Sequence, residues 1–343
     1  MSHPLISFTA DGPFTNETTV GEVEDAPLFA PFGRLLFPTT FCVPPRPTPL
    51  ANLDRSLPWY SEVEAQTTLD VLNYLYQARA AGDPVYYPLY TSAEIAADPS
   101  LANTGLIHFS PFTLAALQQA SSSRSLWPTL AEKPQPQLLA SSPVSLRASA
   151  PFSVVCAGGG FAYVAAIHDS FPHCLHLARA GCHGFAIIYR PQAQLACEDL
   201  ARALSVIFDR ASQLCVDTAG YGLWGGSAGA RMAAVVGGYG SRAFGSTVDE
   251  PPVAVIMQYT SYSAITGHDP ATYACVGTRD SIAPWQIMRE RLQRLSAMGV
   301  PCEFHAYPGL GHGFGLGVGT CAEGWIDDAL AFWLAQRKGS SGA

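Results

Sequence analysis

Gly225-Gly226-Ser227-Ala228-Gly229 is the stretch on which the fold of this chain turns. Tyr221, Leu223 and Trp224 precede it as an apolar, aromatic run, and Ala228, Ala230, Met232, Ala233, Ala234 and Val235 follow it as helix-compatible residues. A glycine-x-serine-x-glycine between a strand and a helix has a mechanical task. The chain must turn sharply with the serine backbone held in a strained conformation, so nearby side chains must be small. The turn lifts the serine hydroxyl clear of the sheet, where a base and a substrate carbonyl both reach it. Ordinary loops also produce this pentapeptide. The reading therefore depends on whether the other parts of a reactive serine occur, and in what order.

Around the pentapeptide the pattern alternates. Phe152 to Cys156 reads as a short apolar strand, Ser170 to Ala180 as a helix, Phe185 to Tyr189 as a strand and Glu198 to Leu214 as a long amphipathic helix. Gly222 to Trp224 is the strand entering the serine turn, and Ala228 to Val236 begins the helix leaving it. Val253 to Gln258, Thr272 to Val276 and Cys302 to Tyr307 are further strands; Trp285 to Met298 and Ala322 to Gln336 are helices. Strands and helices alternating over this distance predict a mostly parallel central sheet flanked by helices on both faces.

Upstream, the signal changes. Residues 1–65 are rich in Pro, Thr and Phe, with Pro44, Pro45, Pro47 and Pro49 enforcing extended or irregular backbone. They predict an irregular N-terminal extension wrapping the main domain or packing near the mouth of the site. Glu62 to Ala81 reads as a helix, with Leu69, Val71, Leu72, Leu75 and Tyr76 on its apolar face. Val85 to Leu89 and Leu106 to Phe109 read as a first antiparallel pair. Residues 121–150, full of Ser, Pro, Gln and Ala, read as a surface insertion. The division expected is therefore an extension over 1–65, a catalytic domain over 66–338 and a flexible tail over 339–343.

Composition narrows the function. The 343 residues are 48% hydrophobic and only 13% charged, enough for a large core and unlike a disordered chain. A net charge of −8 without any Lys/Arg run excludes a nucleic-acid partner, since no basic field exists to displace counterions. No apolar run reaches the roughly 18 residues needed to cross a bilayer, so no membrane partner is expected. Met1 to Thr19 has neither a basic start nor an apolar stretch of the signal type, which predicts a cytoplasmic protein, or a secreted one whose leader was removed. The nine cysteines include no Cys-x-x-Cys pair and read as free thiols of a reducing compartment. His173, Cys174, His176, Cys182 and His183 are of zinc-binding types, but their spacing fits no standard module, and no metal is assigned.

Acyl transfer by serine requires a base, an acid to orient it and donors for the oxyanion. His312, in Gly309-Leu310-Gly311-His312-Gly313-Phe314-Gly315, lies in a glycine-flanked loop after the last strand and is the candidate base. His305 sits within that strand and reads as structural. Asp280, in Gly277-Thr278-Arg279-Asp280, directly follows a strand, at the edge where the serine turn lies, and is the candidate acid. Its rival Asp269 precedes the same strand and falls at the opposite edge. Asp327 and Asp328 read as solvated helix residues. Gly158-Gly159-Gly160-Phe161 follows the strand ending at Cys156 and supplies backbone N–H groups unobstructed by side chains. A dinucleotide loop is the competing reading, but the glycines are contiguous and no acidic residue closes the next strand. The second donor is the N–H of Ala228, at a helix N-terminus whose dipole favours an anion.

The order of these parts, oxyanion loop, Ser227, Asp280, His312, is similar to that of the α/β-hydrolase superfamily. The segment from Pro151 to Gln336 resembles its acetyl-esterase and carboxylesterase branch. Phe152 to Tyr163 resembles that branch's strand and His-Gly-Gly-Gly loop, with Ala157 in place of the histidine. Ile188-Tyr189-Arg190 with Asp199 resembles its Tyr-Arg and downstream acidic helix, Trp224 to Ala230 its nucleophile elbow, and Gly311 to Phe314 its histidine loop. The resemblance implies an α/β-hydrolase fold, a serine esterase without a cofactor, and Gly159 and Gly160 as oxyanion donors. It also implies short acyl groups such as acetyl, on sugars or small alcohols. Ala157 puts the geometry of the loop, and with it acyl preference, in question.

Phe161, Tyr163, Trp224, Tyr259, Trp285 and Phe314 are candidates for an aromatic pocket, which would also suit a feruloyl or other aryl ester. His168 and Asp169 are candidates for binding a polar alcohol. The partner expected is a small-molecule ester, with a homo-oligomer left open by the sequence. A peptidase of the prolyl-oligopeptidase type shares the catalytic order, but the N-terminal part is too short for its propeller. A non-catalytic binding protein on the same fold is the reading from a different class.

Overall fold

The computed structural model describes residues 12–57, 59–124 and 149–340. Its centre is one sheet of eight strands in the order β1-β2-β4-β3-β5-β6-β7-β8. These are β1 (Tyr86–Tyr87), β2 (Gly105–Phe109), β3 (Ala150–Cys156), β4 (His183–Ile188), β5 (Val216–Gly226), β6 (Ala254–Gln258), β7 (Ala271–Gly277) and β8 (Cys302–Tyr307). β1 pairs antiparallel with β2, and β2 antiparallel with β4; the remaining pairs are parallel. Every residue of β4, β6 and β7 is buried. That explains their unbroken apolar sequences, since a parallel strand is covered on both faces.

The strand order reverses at β3. From β3 the chain crosses to β4 on one side, then returns over β3 to β5 and continues outward through β8. Parallel crossovers are right-handed, so the reversal puts helices on opposite faces and opens a crevice beyond the ends of β3 and β5. Helix Phe171–Arg179 covers one face beside Trp325–Ser340, with His176 Nε2 2.8 Å from Asp327 Oδ1. Helices Ala193–Asp209 and Ala228–Tyr239 pack together on the other.

The N-terminal residues are less peripheral than a surface wrapping. Over 12–57 the chain forms a short helix, Val20–Glu24, capped by Thr19 and Glu22, and a series of 3₁₀ turns. Phe14, Phe29, Phe32, Leu35, Leu36, Leu50 and Leu53 from these turns are buried in the same core as the sheet. The prolines prevent long helices there but leave the apolar side chains free to bury. The division expected at residue 65 falls inside helix Glu62–Ala80.

Several boundaries differ from expectation. The strand expected over Val85 to Leu89 is only Tyr86–Tyr87, because β2 pairs with it over that short stretch. The helix expected from Glu198 begins at Ala193 and ends at Asp209, with a separate turn over Ala211–Leu214. The insertion expected over 121–150 begins inside helix Pro111–Arg124 and ends in β3; residues 125–148 lie outside the described residues. The tail expected over 339–343 starts in helix Trp325–Ser340, and 341–343 lie outside the described residues.

Candidate active site

Ser227 sits at the turn from β5 into helix Ala228–Tyr239 with φ 52° and ψ −115°. A non-glycine residue there is strained, and such strain persists only where the surroundings enforce it. Two glycines make the turn possible. A Cβ on Gly229 would come within 2.0 Å of the Cys156 carbonyl oxygen, and one on Gly225 within 2.3 Å of the Gly229 backbone. The helix start is thereby pressed against the end of β3.

His312, in the loop after β8, reaches back across the sheet edge. Its Nε2 lies 3.0 Å from Ser227 Oγ and its Nδ1 2.7 Å from Asp280 Oδ2. Asp280 follows β7 and its carboxylate is buried; Oδ1 accepts the backbone N–H groups of Ile282 and Ala283 at 2.8 and 2.7 Å. That leaves Oδ2 facing the imidazole. Nδ1 therefore carries the hydrogen, and Nε2 presents a lone pair to the serine hydroxyl. The structure thus brings together Ser227, Asp280 and His312, residues far apart in sequence. Asp269 instead forms a buried ion pair with Arg291 at the other end of β7, 2.5 Å apart. His305 lies beside Glu303 on the edge strand, with Nε2 2.7 Å from Oε1.

Among the described residues, no carbonyl or side chain accepts a hydrogen bond from the N–H of Gly159, Gly160 or Ala228. Gly159 and Gly160 have φ values of 120° and 62°, which a side chain would disfavour. The loop is anchored without the histidine missing at Ala157. Tyr189 Oη donates to the Ala157 carbonyl at 2.6 Å, and Gly158 N–H donates to Asp169 Oδ2 at 2.9 Å. Asp169 Oδ1 accepts the Tyr259 hydroxyl at 2.5 Å. Burial, reinforced by the Asp169 carboxylate, pushes the Tyr259 phenol well above its usual pKa. Tyr259 itself leaves β6 at φ 33° and packs under His312 and Phe314, ring centroids 5.0 and 4.8 Å away. Asp169 therefore holds the glycine loop and the floor of the histidine loop together, whereas the sequence placed it against an alcohol.

The expected aromatic pocket takes a different form. A cavity of about 230 Å³ opens beside His312, walled by Trp59, Ser61, Glu64, Thr67, His168 and Phe314 among others. Of the aromatic candidates only Phe314 lines it. Trp224 is buried in the core against Trp325 and Trp333, because its position on β5 faces the C-terminal helix. Trp285 starts helix Trp285–Ala297 with Arg289 over its ring, 4.6 Å from the centroid. Tyr163 stands behind the glycine loop, accepting Trp59 Nε1–H at 3.2 Å. Phe161 lines a separate cleft of about 120 Å³ with Arg231, Met232 and Phe244. Trp59 and Glu64 went unnoticed in the sequence, where an aromatic near prolines and a glutamate in a first helical turn carry no signal of a site.

Among the described residues no group of three or more His, Cys, Asp or Glu is placed to hold a metal ion. His173 and Cys174 are buried on helix Phe171–Arg179, while His183 lies on β4 against His108. No helix of the described residues is long and apolar enough to cross a membrane.

No family model and no curated protein matches the chain. Solved structures do. An acetyl ester-xyloside bifunctional hydrolase from Caldicellulosiruptor lactoaceticus superposes with a TM-score of 0.54 at 20% identity, over 73% of this chain and 95% of its own. Esterase 2 of Thermogutta terrifontis gives 0.51 at 17% identity, over 68% and 89%. A carboxylesterase from Lactobacillus plantarum gives 0.50 at 19% identity, over 55% and 86%. The chain has the α/β-hydrolase fold.

Proposed function

We propose that the protein is a serine hydrolase of carboxylic esters, with Ser227 as nucleophile, His312 as general base and acid, and Asp280 as the residue that orients the imidazole. The observation that carries this reading is the continuous relay from Asp280 Oδ2 through His312 to Ser227 Oγ, at 2.7 and 3.0 Å. Beside it stand the N–H groups of Gly159, Gly160 and Ala228, which meet no acceptor among the described residues.

In the reaction, Ser227 Oγ attacks the ester carbonyl while its proton passes to His312 Nε2. The carbonyl oxygen becomes an anion held by the N–H groups of Gly159, Gly160 and Ala228. Collapse breaks the bond to the alcohol, which leaves with the proton from Nε2. Water then attacks the acyl-serine by the same route, His312 taking its proton and returning it to Ser227 as the acid leaves. Asp280 keeps Nδ1 protonated throughout. No step calls for a cofactor.

Short acyl groups, acetyl above all, are the preferred acyl class in this reading, supported by the likeness to a hydrolase of acetyl esters and to carboxylesterases. The aryl alternative loses most of its support, since Trp224, Tyr259 and Trp285 are engaged elsewhere. The partner in this reading is a small-molecule ester and the setting cytoplasmic.

Turnover of p-nitrophenyl acetate, and labelling of Ser227 by a fluorophosphonate read by mass spectrometry, test the proposal. Ser227→Ala is expected to lower kcat by about 10⁴-fold or more, from the magnitude seen when a triad nucleophile is removed, and to abolish labelling. A folded wild type that is inert to both reagents points instead to a binding protein on this fold.

A further inference from the structure

The loop that presents the oxyanion donors has two limbs, held by different parts of the chain. The upstream limb is fixed from within the sheet and its helices: Tyr189 Oη donates to the Ala157 carbonyl, and Asp169 Oδ2 accepts the Gly158 N–H, at 2.6 and 2.9 Å. The downstream limb, Ala162 and Tyr163, is met by the N-terminal chain. Thr40 Oγ1 donates to the Ala162 carbonyl at 2.7 Å. Trp59 Nε1–H donates to Tyr163 Oη at 3.2 Å. Phe41, 62% exposed, sets its ring beside that of Tyr163, centroids 5.9 Å apart.

The N–H groups of Gly159 and Gly160 lie between the limbs, and the backbone couples them to the downstream one. The Ala162 and Tyr163 N–H groups both donate to the Gly159 carbonyl, at 2.9 and 3.2 Å, and the Ala165 N–H donates to that of Gly158 at 3.1 Å. A Cβ on Gly159 would stand 2.2 Å from the Tyr163 carbonyl oxygen, so the two ends of this turn are pressed together. A shift of Ala162 or Tyr163 therefore passes to the peptide groups at Gly159 and Gly160. Trp59 also packs on His168, ring centroids 4.4 Å apart, and His168 Nε2–H donates to the Gly313 carbonyl at 3.0 Å. Through that ring the same tryptophan braces the loop of His312.

We propose, resting on the ester-hydrolase reading, that Thr40, Trp59 and Tyr163 are positioning residues for the oxyanion donors. The N-terminal chain clamps the downstream limb of the glycine loop and so fixes the Gly159 and Gly160 N–H groups where the ester oxygen becomes an anion. Such donors stabilise the transition state because they stand in place beforehand, so the clamp acts on kcat. None of the three residues takes part in bond making.

A double-mutant cycle reads the clamp directly. Trp59→Phe and Tyr163→Phe remove opposite ends of one hydrogen bond and keep an aromatic ring. Each is expected to lower kcat, per serine titrated with the fluorophosphonate, by about tenfold, the upper weight of a neutral hydrogen bond, with KM within about twofold. The double variant should lose no more than either single one. Thr40→Val should cost about threefold, and Thr40→Ser should restore it. Unchanged kcat per titrated serine, with only stability and the titrated fraction lowered, leaves the contacts a packing role and overturns the proposal. Additive losses, or a change confined to KM, overturn it too. Amide hydrogen exchange over residues 161–165 decides the matter independently of turnover. The Ala162, Tyr163 and Ala165 amides should exchange faster in the Thr40→Val, Trp59→Phe double variant than in the wild type, and unchanged exchange refutes the clamp. A wild type inert to p-nitrophenyl acetate whose exchange responds in this way keeps the clamp on the glycine loop and refutes the hydrolase reading alone.

Discussion

On the strand-end side of the cleft, each polar side chain is already engaged. Asp280 holds His312 at 2.7 Å, and Asp169 holds the Tyr259 hydroxyl at 2.5 Å and the Gly158 N–H at 2.9 Å. On the N-terminal side, Glu64 and His168 face each other at 3.7 Å. The first side is preorganised for chemistry, where donors and acceptors must stand ready before charge develops. The second forms the wall of the cavity beside His312, where Trp59, Glu64 and His168 line its interior in place of a fixed relay. The two sides are also fixed by different forces. Strand ends and short hydrogen bonds position the first, while helix Glu62–Ala80, packed on the irregular N-terminal chain, carries Glu64 of the second.

That contrast breaks most forcefully at the N-terminal core. Phe29 is fully buried, stacked near Phe14 at 5.7 Å and edge-on to Tyr76 of helix Glu62–Ala80 at 6.1 Å. Phe29→Ala is expected to destabilise the protein by about 3–5 kcal/mol, the range for emptying a buried aromatic site. Because residues 12–57 share the core of the sheet, chemical denaturation should remain one transition, shifted to lower denaturant. An early, separate transition carrying only the N-terminal signal would show that this wall folds as an independent layer.

Acid should act on the opposite side of the contrast. No histidine occurs within residues 12–57, whereas the seam between β2 and β4 contains a buried pair. His183 Nε2 donates to the Cys215 carbonyl at 3.1 Å, so its Nδ1 accepts from His108 Nε2–H at 2.9 Å. Desolvation lowers His183 to about 4 and pushes His108 down as well. Between pH 6.5 and 4 the unfolded chain binds protons that the folded chain refuses, so stability falls as pH falls through that window. For His183 the loss is about 3 kcal/mol, at 1.36 kcal/mol per pKa unit. Denaturant midpoints at pH 7 and 4.5 should show it, with the slope flattened in His183→Gln. A pH-independent midpoint across that range would falsify the assignment of neutral, buried rings.

How much of this was readable in sequence follows from the same contrast. Ser227, Asp280 and His312 each follow a strand and belong to local patterns of glycine, serine or turn residues whose spacing is dictated by backbone geometry, so short windows suffice to find them. Trp224 misled because aromatics before a serine turn can face either the pocket or the core, and only the facing helix with Trp325 and Trp333 decides. Glu64 was invisible for a different reason. An acidic residue in a first helical turn is already explained by the helix dipole, and its meeting with His168 depends on a tertiary contact across some hundred residues. The short β1 and the helix beginning at Ala193 were missed because strand pairing and packing, rather than propensity, set those ends.

The smallest effect expected is also the most discriminating, because Asp169 belongs to the preorganised side without touching the reacting atoms. A Cβ on Gly158 would meet Asp169 Oδ2 at 2.5 Å and Ser227 Cβ at 3.1 Å, which shows how closely the carboxylate underlies the turn. Asp169→Ala leaves the Gly158 N–H unpaired and removes the acceptor of the Tyr259 hydroxyl, so the glycine loop loses its anchor beside Gly159 and Gly160. By comparison with loss of an oxyanion donor, worth about 10²–10³-fold, a loosened donor should cost kcat about 10- to 100-fold while KM changes little. Asp169→Asn retains an acceptor for Gly158 N–H and can donate to Tyr259 Oη, so it should recover most of kcat. A purely structural role predicts something else: equal loss of stability and active fraction in Asp169→Ala, with kcat per labelled Ser227 unchanged. Active-site titration with the fluorophosphonate separates the two, since it counts functional serines independently of their rate.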